Sequence, residues 1–226
     1  RVRKACPEGG SESLVFAPVP MQELVAAIRQ ARPALVFAPH VETSAGVMLP
    51  DAYIRRLGAA ARDVGAVFVL DGIAAGVLEM NMVDLNVDVY LTAPQKGWSA
   101  AASTGVVLLG PRAVARLERM TSSSFTLDLK AWHGVMRAYL DGGHAYHATM
   151  ATDAIVRFKQ ALDESVSHGL AHLRERQWAL GAMVRALLSE RGLQSVAAAG
   201  FAAPTVVVVH ATDATLPQKF ATAGIQ

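Results

Sequence analysis

The chain has 226 residues, 52% of them hydrophobic and 18% charged, which allows a substantial core and excludes a disordered segment. Lysine plus arginine number 21 and aspartate plus glutamate 19, a net charge of +2 with no basic stripe, so nothing points to a nucleic-acid partner. The single cysteine, Cys6, excludes an intrachain disulfide framework and a cysteine-built zinc site and fits a reducing compartment.

The longest strongly apolar run, 196–209, is interrupted by Gly200, Pro204 and Thr205 and is too short to span a bilayer. No charged-then-apolar leader opens the sequence, so the expected location is the cytoplasm, away from any membrane.

In chain order, 20–32 (PMQELVAAIRQAR) predicts a helix with proline in its first turn and Pro33 ending it. Residues 34–38 (ALVFA) predict a strand. Residues 51–64 predict a second helix, because Ile54, Leu57, Ala61 and Val64 recur at helical spacing and Gly65 follows as a stop. The apolar run 66–70 (AVFVL) predicts a strand covered on both faces. Further strands are expected at 87–91 and 104–109, and helices at 111–120 and 127–140. Residues 149–191 predict a long helical stretch broken near His168–Gly169, and 205–209 (TVVVV) a strand that begins a new unit. Strands separated by helices argue for an α/β fold, a mostly parallel sheet between helix layers. The expected division is 1–168 as one large domain, with 169–226 as a linker helix and the start of a small α+β domain.

In such a sheet, ligands bind beyond the carboxyl ends of the strands. The polar clusters that follow the apolar runs are therefore the candidate site: PHVETSAG at 39–46, Asp71–Gly72, and TAPQKG at 92–97. Read alone, Asp71 fits a helix cap as well as a functional acid, and a loop lysine such as Lys96 is usually a solvated charge. Read together, an acid after one strand and a lysine after the next suggest pyridoxal phosphate. The lysine would hold the aldehyde covalently and the acid would keep the pyridine nitrogen protonated.

These segments also carry a resemblance. PHVETSAGV (39–47), VFVLDGIAAGV (67–77), LTAPQKGW (91–98) and YHAT (146–149) occur in the order found in class V aminotransferases. The sequence resembles most the alanine–glyoxylate and serine–glyoxylate (serine–pyruvate) branch. The resemblance implies an aspartate-aminotransferase-like fold, fold type I of the pyridoxal-phosphate enzymes. By it, Lys96 looks like the Schiff-base lysine and Asp71 the partner of the ring nitrogen. Thr43 is similar to the hydroxyl residue on the ring's phenolic oxygen, and Gln95 looks like a phosphate contact. Tyr146 and Thr149 look like the pair that reaches the other subunit's cofactor phosphate, which implies a homodimer with shared sites. The implied reaction moves an amino group from alanine or serine to a small 2-oxo acid such as glyoxylate or pyruvate.

The family's phosphate loop and ring-stacking residue would lie upstream of Arg1, and its substrate-carboxylate arginine downstream of Gln226. Arg174, Arg176, Arg185 and Arg191 do not fit that last role, since they fall on predicted helices. The sequence is therefore expected to be part of a longer protein. A 2-aminoethylphosphonate-type transaminase, or another enzyme of the same fold type, is the alternative. A desulfurase is disfavoured because Cys6 precedes every cofactor motif. A non-catalytic dimeric binding protein is the alternative of another class. His40 and Glu42 are expected to shape their loop, Trp98 and Trp132 to pack, and no metal is expected at His144 and His147, since no HExxH is present. No GxGxxG, P-loop or GxSxG motif competes.

Overall fold

A computed structural model describes residues 5–8, 15–78, 80–211 and 213–225. The elements are β1 (Cys6–Pro7), β2 (Phe16–Ala17), α1 (Met21–Ala31), β3 (Leu35–Pro39), β4 (Val41–Glu42), β5 (Val47–Met48), α2 (Asp51–Asp63), β6 (Val67–Asp71), β7 (Val89–Thr92), β8 (Val106–Leu109), α3 (Pro111–Leu117), α4 (Leu129–Leu140), α5 (Thr152–His168), α6 (Leu170–Ser189) and α7 (Leu216–Thr222).

The central sheet has the order β3-β6-β7-β8. β3, β6 and β7 are parallel, and β8 runs antiparallel to β7. The register aligns Pro39 with Asp71 and Asp71 with Leu91, so three carboxyl ends finish level. One face of the sheet packs on α1 and α2. Ile28, Ile54, Leu57 and Ala61 meet Phe68, Leu70 and Tyr90 there, the helical spacing foreseen for α2. The other face gathers Val69 and Val89 around Ala113 of α3. There Leu35 and Phe37 of β3 stay 52% and 54% exposed.

Local chemistry sets the helix ends. α1 stops where Arg32 turns left-handed (φ 40°) and its amide returns to the Ile28 carbonyl. Asp128 caps α4 by accepting from the Lys130 and Ala131 amides at 3.0 and 3.1 Å. The predicted break at residues 168–169 is a single glycine, Gly169, at φ 83° between α5 and α6.

The strand expected at 205–209 does not form. Val209 makes one antiparallel bridge with Ser195, and the segment spends its polar groups elsewhere. The Val206 carbonyl accepts from Arg185, and the Thr205 hydroxyl donates to the Ala74 carbonyl. A β-branched run becomes a strand only beside a ladder partner, and these groups face a helix and a loop instead. The β4–β5 hairpin and α7 are additions that periodicity did not signal.

Candidate active site

The level strand ends bring the three polar clusters to one edge of the sheet. The His40 amide donates to the Asp71 carbonyl at 2.8 Å, and the Gly72 amide to the Leu91 carbonyl at 2.8 Å. Asp71 ends β6 half-buried. Its Oδ1 accepts from the Ile73 amide at 3.0 Å, which holds the carboxylate in a tight turn. Oδ2 accepts no hydrogen bond among the described residues. Tyr90 lies beside it: burial pushes the phenol up to about 12, and the Asp71 charge adds to the effect. The Tyr90 hydroxyl fills the space where any residue but glycine at 72 would place a Cβ.

Lys96 sits in a turn after β7, and both Gln95 and Lys96 are exposed. The turn is anchored beneath. Pro94 is fully buried, the Ala100 amide donates to the Pro94 carbonyl at 3.0 Å, and the Trp98 indole donates to the Thr92 hydroxyl at 3.1 Å. Gly97 meets Gly76 backbone to backbone, since a Cβ at 97 would overlap the Gly76 Cα. The loop after Asp71 and the loop carrying Lys96 therefore touch through two glycines. Periodicity gave no sign of that contact, although both residues lie in the quoted motifs.

Thr43 is exposed on the turn between β4 and β5. Glu42 builds that turn by accepting from the Ser44 amide and hydroxyl and the Ala45 amide at 3.1, 2.7 and 2.9 Å. Burial works to raise the Glu42 pKa, but these donors outweigh it and hold the carboxyl below its ordinary value. His40 is 4% exposed, and its Nδ1 is buried without a hydrogen-bond partner. Burial depresses it to about 4, opposed by Asp51 and helped by Arg174. Its backbone joins β6 to Leu49, whose amide donates to the His40 carbonyl at 2.9 Å. His40 thus shapes its loop.

Tyr146 and Thr149 lie on the segment between α4 and α5. Tyr146 is 77% exposed, and its hydroxyl is hydrogen-bonded to Thr149 Oγ1 at 2.9 Å. Among the described residues no hydrogen bond joins this pair to the Asp71–Lys96 cluster. His147 packs on Phe125 and Trp132, with Nε2 at 2.8 Å from the Phe125 carbonyl. A surface cavity of about 520 Å3 lies beside Asp51, Arg55, Met80 and Arg174, and none of the expected site residues lines it.

This donor set fits pyridoxal phosphate: a primary amine, a carboxylate with a free oxygen, and a hydroxyl and an amide at one sheet edge. The fold is the α/β fold of type I pyridoxal-phosphate enzymes. The structure of the alanine–glyoxylate aminotransferase from Nostoc sp. superposes with a TM-score of 0.79 at 22% identity, over 90% of this chain and 53% of that one. A family model, aminotransferase class-V, matches residues 18–216, and the chain belongs to that family. Among curated relatives, the L-aspartate–glyoxylate aminotransferase of Paracoccus denitrificans (strain Pd 1222) is 26% identical over 161 residues, 71% of this chain and 39% of the relative. The serine–glyoxylate aminotransferase of Hyphomicrobium methylovorum is 27% identical over 164 residues, 70% of this chain and 38% of the relative. The chain thus spans less than half the length of these curated relatives.

Proposed function

We propose that this chain carries the cofactor-binding part of a pyridoxal-phosphate-dependent aminotransferase that moves an amino group from a small amino acid, alanine or serine, to glyoxylate or pyruvate. The observation that carries the reading is the Gly76–Gly97 contact, which sets the Lys96 loop against the Asp71 loop. Relatives named for glyoxylate favour that acceptor over a phosphonate substrate.

The cofactor supplies an aldehyde carbon and an electron-withdrawing ring. Lys96 forms the covalent link through Nζ. With the cofactor bound, the free Nζ would act as base toward the proton on the substrate Cα and as acid toward the cofactor's former aldehyde carbon, so the proton leaves one carbon and is delivered to the other. Asp71, held by the Ile73 amide through one oxygen, would use the other to keep the ring nitrogen protonated. Thr43 would donate to the ring's phenolic oxygen, and Gln95 would hold the phosphate. Tyr146 and Thr149, exposed and already hydrogen-bonded to each other, reach the phosphate bound by a second subunit in a homodimer. The apolar residues that α4 leaves exposed, Met136, Tyr139 and Leu140, suit burial in that dimer. Residues 1–168 form the cofactor unit, and 169–226 a linker helix with the start of a small domain. The cytoplasm is the proposed location, on the strength of the single cysteine.

Borohydride reduction followed by peptide mapping tests the assignment. The cofactor should be fixed to Lys96, and Lys96→Ala should lose both the label and turnover while remaining folded. A label on another lysine overturns the reading. Mixing Lys96→Ala with Tyr146→Phe subunits should restore part of the activity, and verified heterodimers without recovery would remove the shared site.

A further inference from the structure

The segment 201–208 is fastened on both sides. On one side it meets α6. Gln177 Nε2 donates to the Pro204 carbonyl at 2.9 Å, Arg185 donates to the Ala203 carbonyl, and Gly181 lets the Pro204 backbone approach, since a Cβ there would lie 2.6 Å from the Pro204 oxygen. On the other side it meets the two loops that leave β3 and β6. The Ala203 amide donates to the Gly46 carbonyl at 2.8 Å, and the Met48 amide to the Phe201 carbonyl at 2.7 Å. Thr205 Oγ1 donates to the Ala74 carbonyl at 2.7 Å, and a Cβ at Gly76 would lie 3.3 Å from the Thr205 methyl. Gly76 in turn abuts Gly97, the neighbour of Lys96. An unbroken path of contacts runs from α6 through Thr205 to the lysine loop.

We infer that Thr205 is a positioning residue: its hydroxyl, anchored from α6, pins the 72–77 loop against Gly97 and so fixes where Lys96 stands relative to Asp71. The claim about Lys96 rests on the proposed function; the claim that the two loops are held through Thr205 does not. Ala74 carries only a methyl group and no polar group to bond the loop, and Gly76 at φ +66° and Gly97 lack the Cβ atoms that would interlock. The loop bonds within itself through the Ala75 amide on the Gly72 carbonyl at 3.0 Å, and the Thr205 hydroxyl adds an external bond at its middle. The lysine turn is closed at its base by the Ala100 amide on the Pro94 carbonyl at 3.0 Å, but around Lys96 itself the bonds are longer, with Lys96 N to Ala93 O at 3.4 Å and Ser99 N to Lys96 O at 3.3 Å. Its order therefore depends on the surface it leans on.

Hydrogen–deuterium exchange on the full chain tests this without relying on turnover. Thr205→Val keeps the shape and removes the donor. It should speed exchange in both 72–78 and 93–100 by roughly fivefold, the factor given by losing one bond of typical net strength, with α2 unchanged. Thr205→Ser keeps the donor and should exchange like the parent. Gln177→Met, which cuts the same path one step earlier, should give a smaller rise of about twofold in the same two segments. Unchanged exchange at 93–100 in both Thr205→Val and Gln177→Met overturns the inference. If Thr205→Val does not fold, Gln177→Met decides alone. In the cofactor-loaded protein, Thr205→Val should also shift the pH at which the visible band of bound cofactor changes, and Thr205→Ser should not. A cofactor absent from Lys96 after reduction would sink the proposed function and leave the loop coupling to be judged by exchange.

Discussion

Asp71 and Asp88 close opposite ends of neighbouring strands in one sheet, and their surroundings differ sharply. Asp88, before β7, is 2% exposed. Its Oδ2 accepts from the Phe68 amide at 2.9 Å and from Arg112 at 2.8 Å, while Arg62 stands 3.7 Å from Oδ1. Arg112 also donates to the Ala66 carbonyl, so one carboxylate ties β6, β7 and α3 together at their amino side. Asp71 sits half-buried at the carboxyl side, with one oxygen engaged and the other free. At the amino side the carboxylate is committed to the fold, while at the carboxyl side Asp71 keeps one oxygen without a hydrogen bond among the described residues.

The contrast predicts separable effects. Asp71→Asn retains an acceptor for the Ile73 amide, so folding should be nearly unaffected while turnover falls on the order of a hundred- to a thousandfold. A steady-state rate beside a melting curve measures both, and an unchanged rate would place Asp71 on the structural side of the comparison. Asp88→Ala should do the reverse. It leaves the buried Phe68 amide without its acceptor and removes the anionic partner of Arg112 and Arg62, and should cost about 3 kcal/mol in urea unfolding. Cofactor attachment at Lys96 should survive in whatever fraction folds.

His40 sharpens the comparison because it is buried at the open end. Its folded pKa of about 4 lies below the free value of 6.5. Above pH 6.5 neither state is protonated and the group has no effect. As pH falls from 6.5 toward 4 the unfolded chain binds the proton first, so stability is lost through that window, by about 3 kcal/mol at most. His40→Gln should flatten the difference between unfolding midpoints at pH 7 and pH 4.5. An equal difference in both proteins would refute this account. The smallest effect belongs to Arg29 and Asp63, an exposed pair at 3.4 Å. Asp63→Asn should change stability by less than about 0.5 kcal/mol.

Much of the fold was legible in residue order. The spacing of Ile54, Leu57 and Ala61 marks the buried face of α2, and the apolar run at 66–70 marks a strand covered on both sides. Gly169 marks the break between the last long helices. The positions of Asp71 and Lys96 just beyond strands already suggested a shared edge. What was not legible depends on partners distant in sequence. The direction of β8 is set by its pairing with β7, and nothing in its composition encodes it. The Arg62–Asp88–Arg112 cluster joins three separate elements. Residues 205–209 have the composition of a strand, yet α6 and the 72–77 loop claim the polar groups of Thr205 and Val206, and only one bridge, at Val209, remains among the described residues. The Gly76–Gly97 contact is invisible in one dimension, because glycine signals permission to approach without naming what approaches.

The bare flank of β3 has a practical consequence for handling the protein. No strand pairs with its outer side among the described residues, and Leu35 and Phe37 stand uncovered on the adjacent face. Such a margin templates strand addition from a neighbouring molecule, and only Pro39, which lacks an amide hydrogen, blunts it. Preparations of this chain alone will therefore self-associate more as concentration rises, and a lysine in place of Phe37 is the direct remedy.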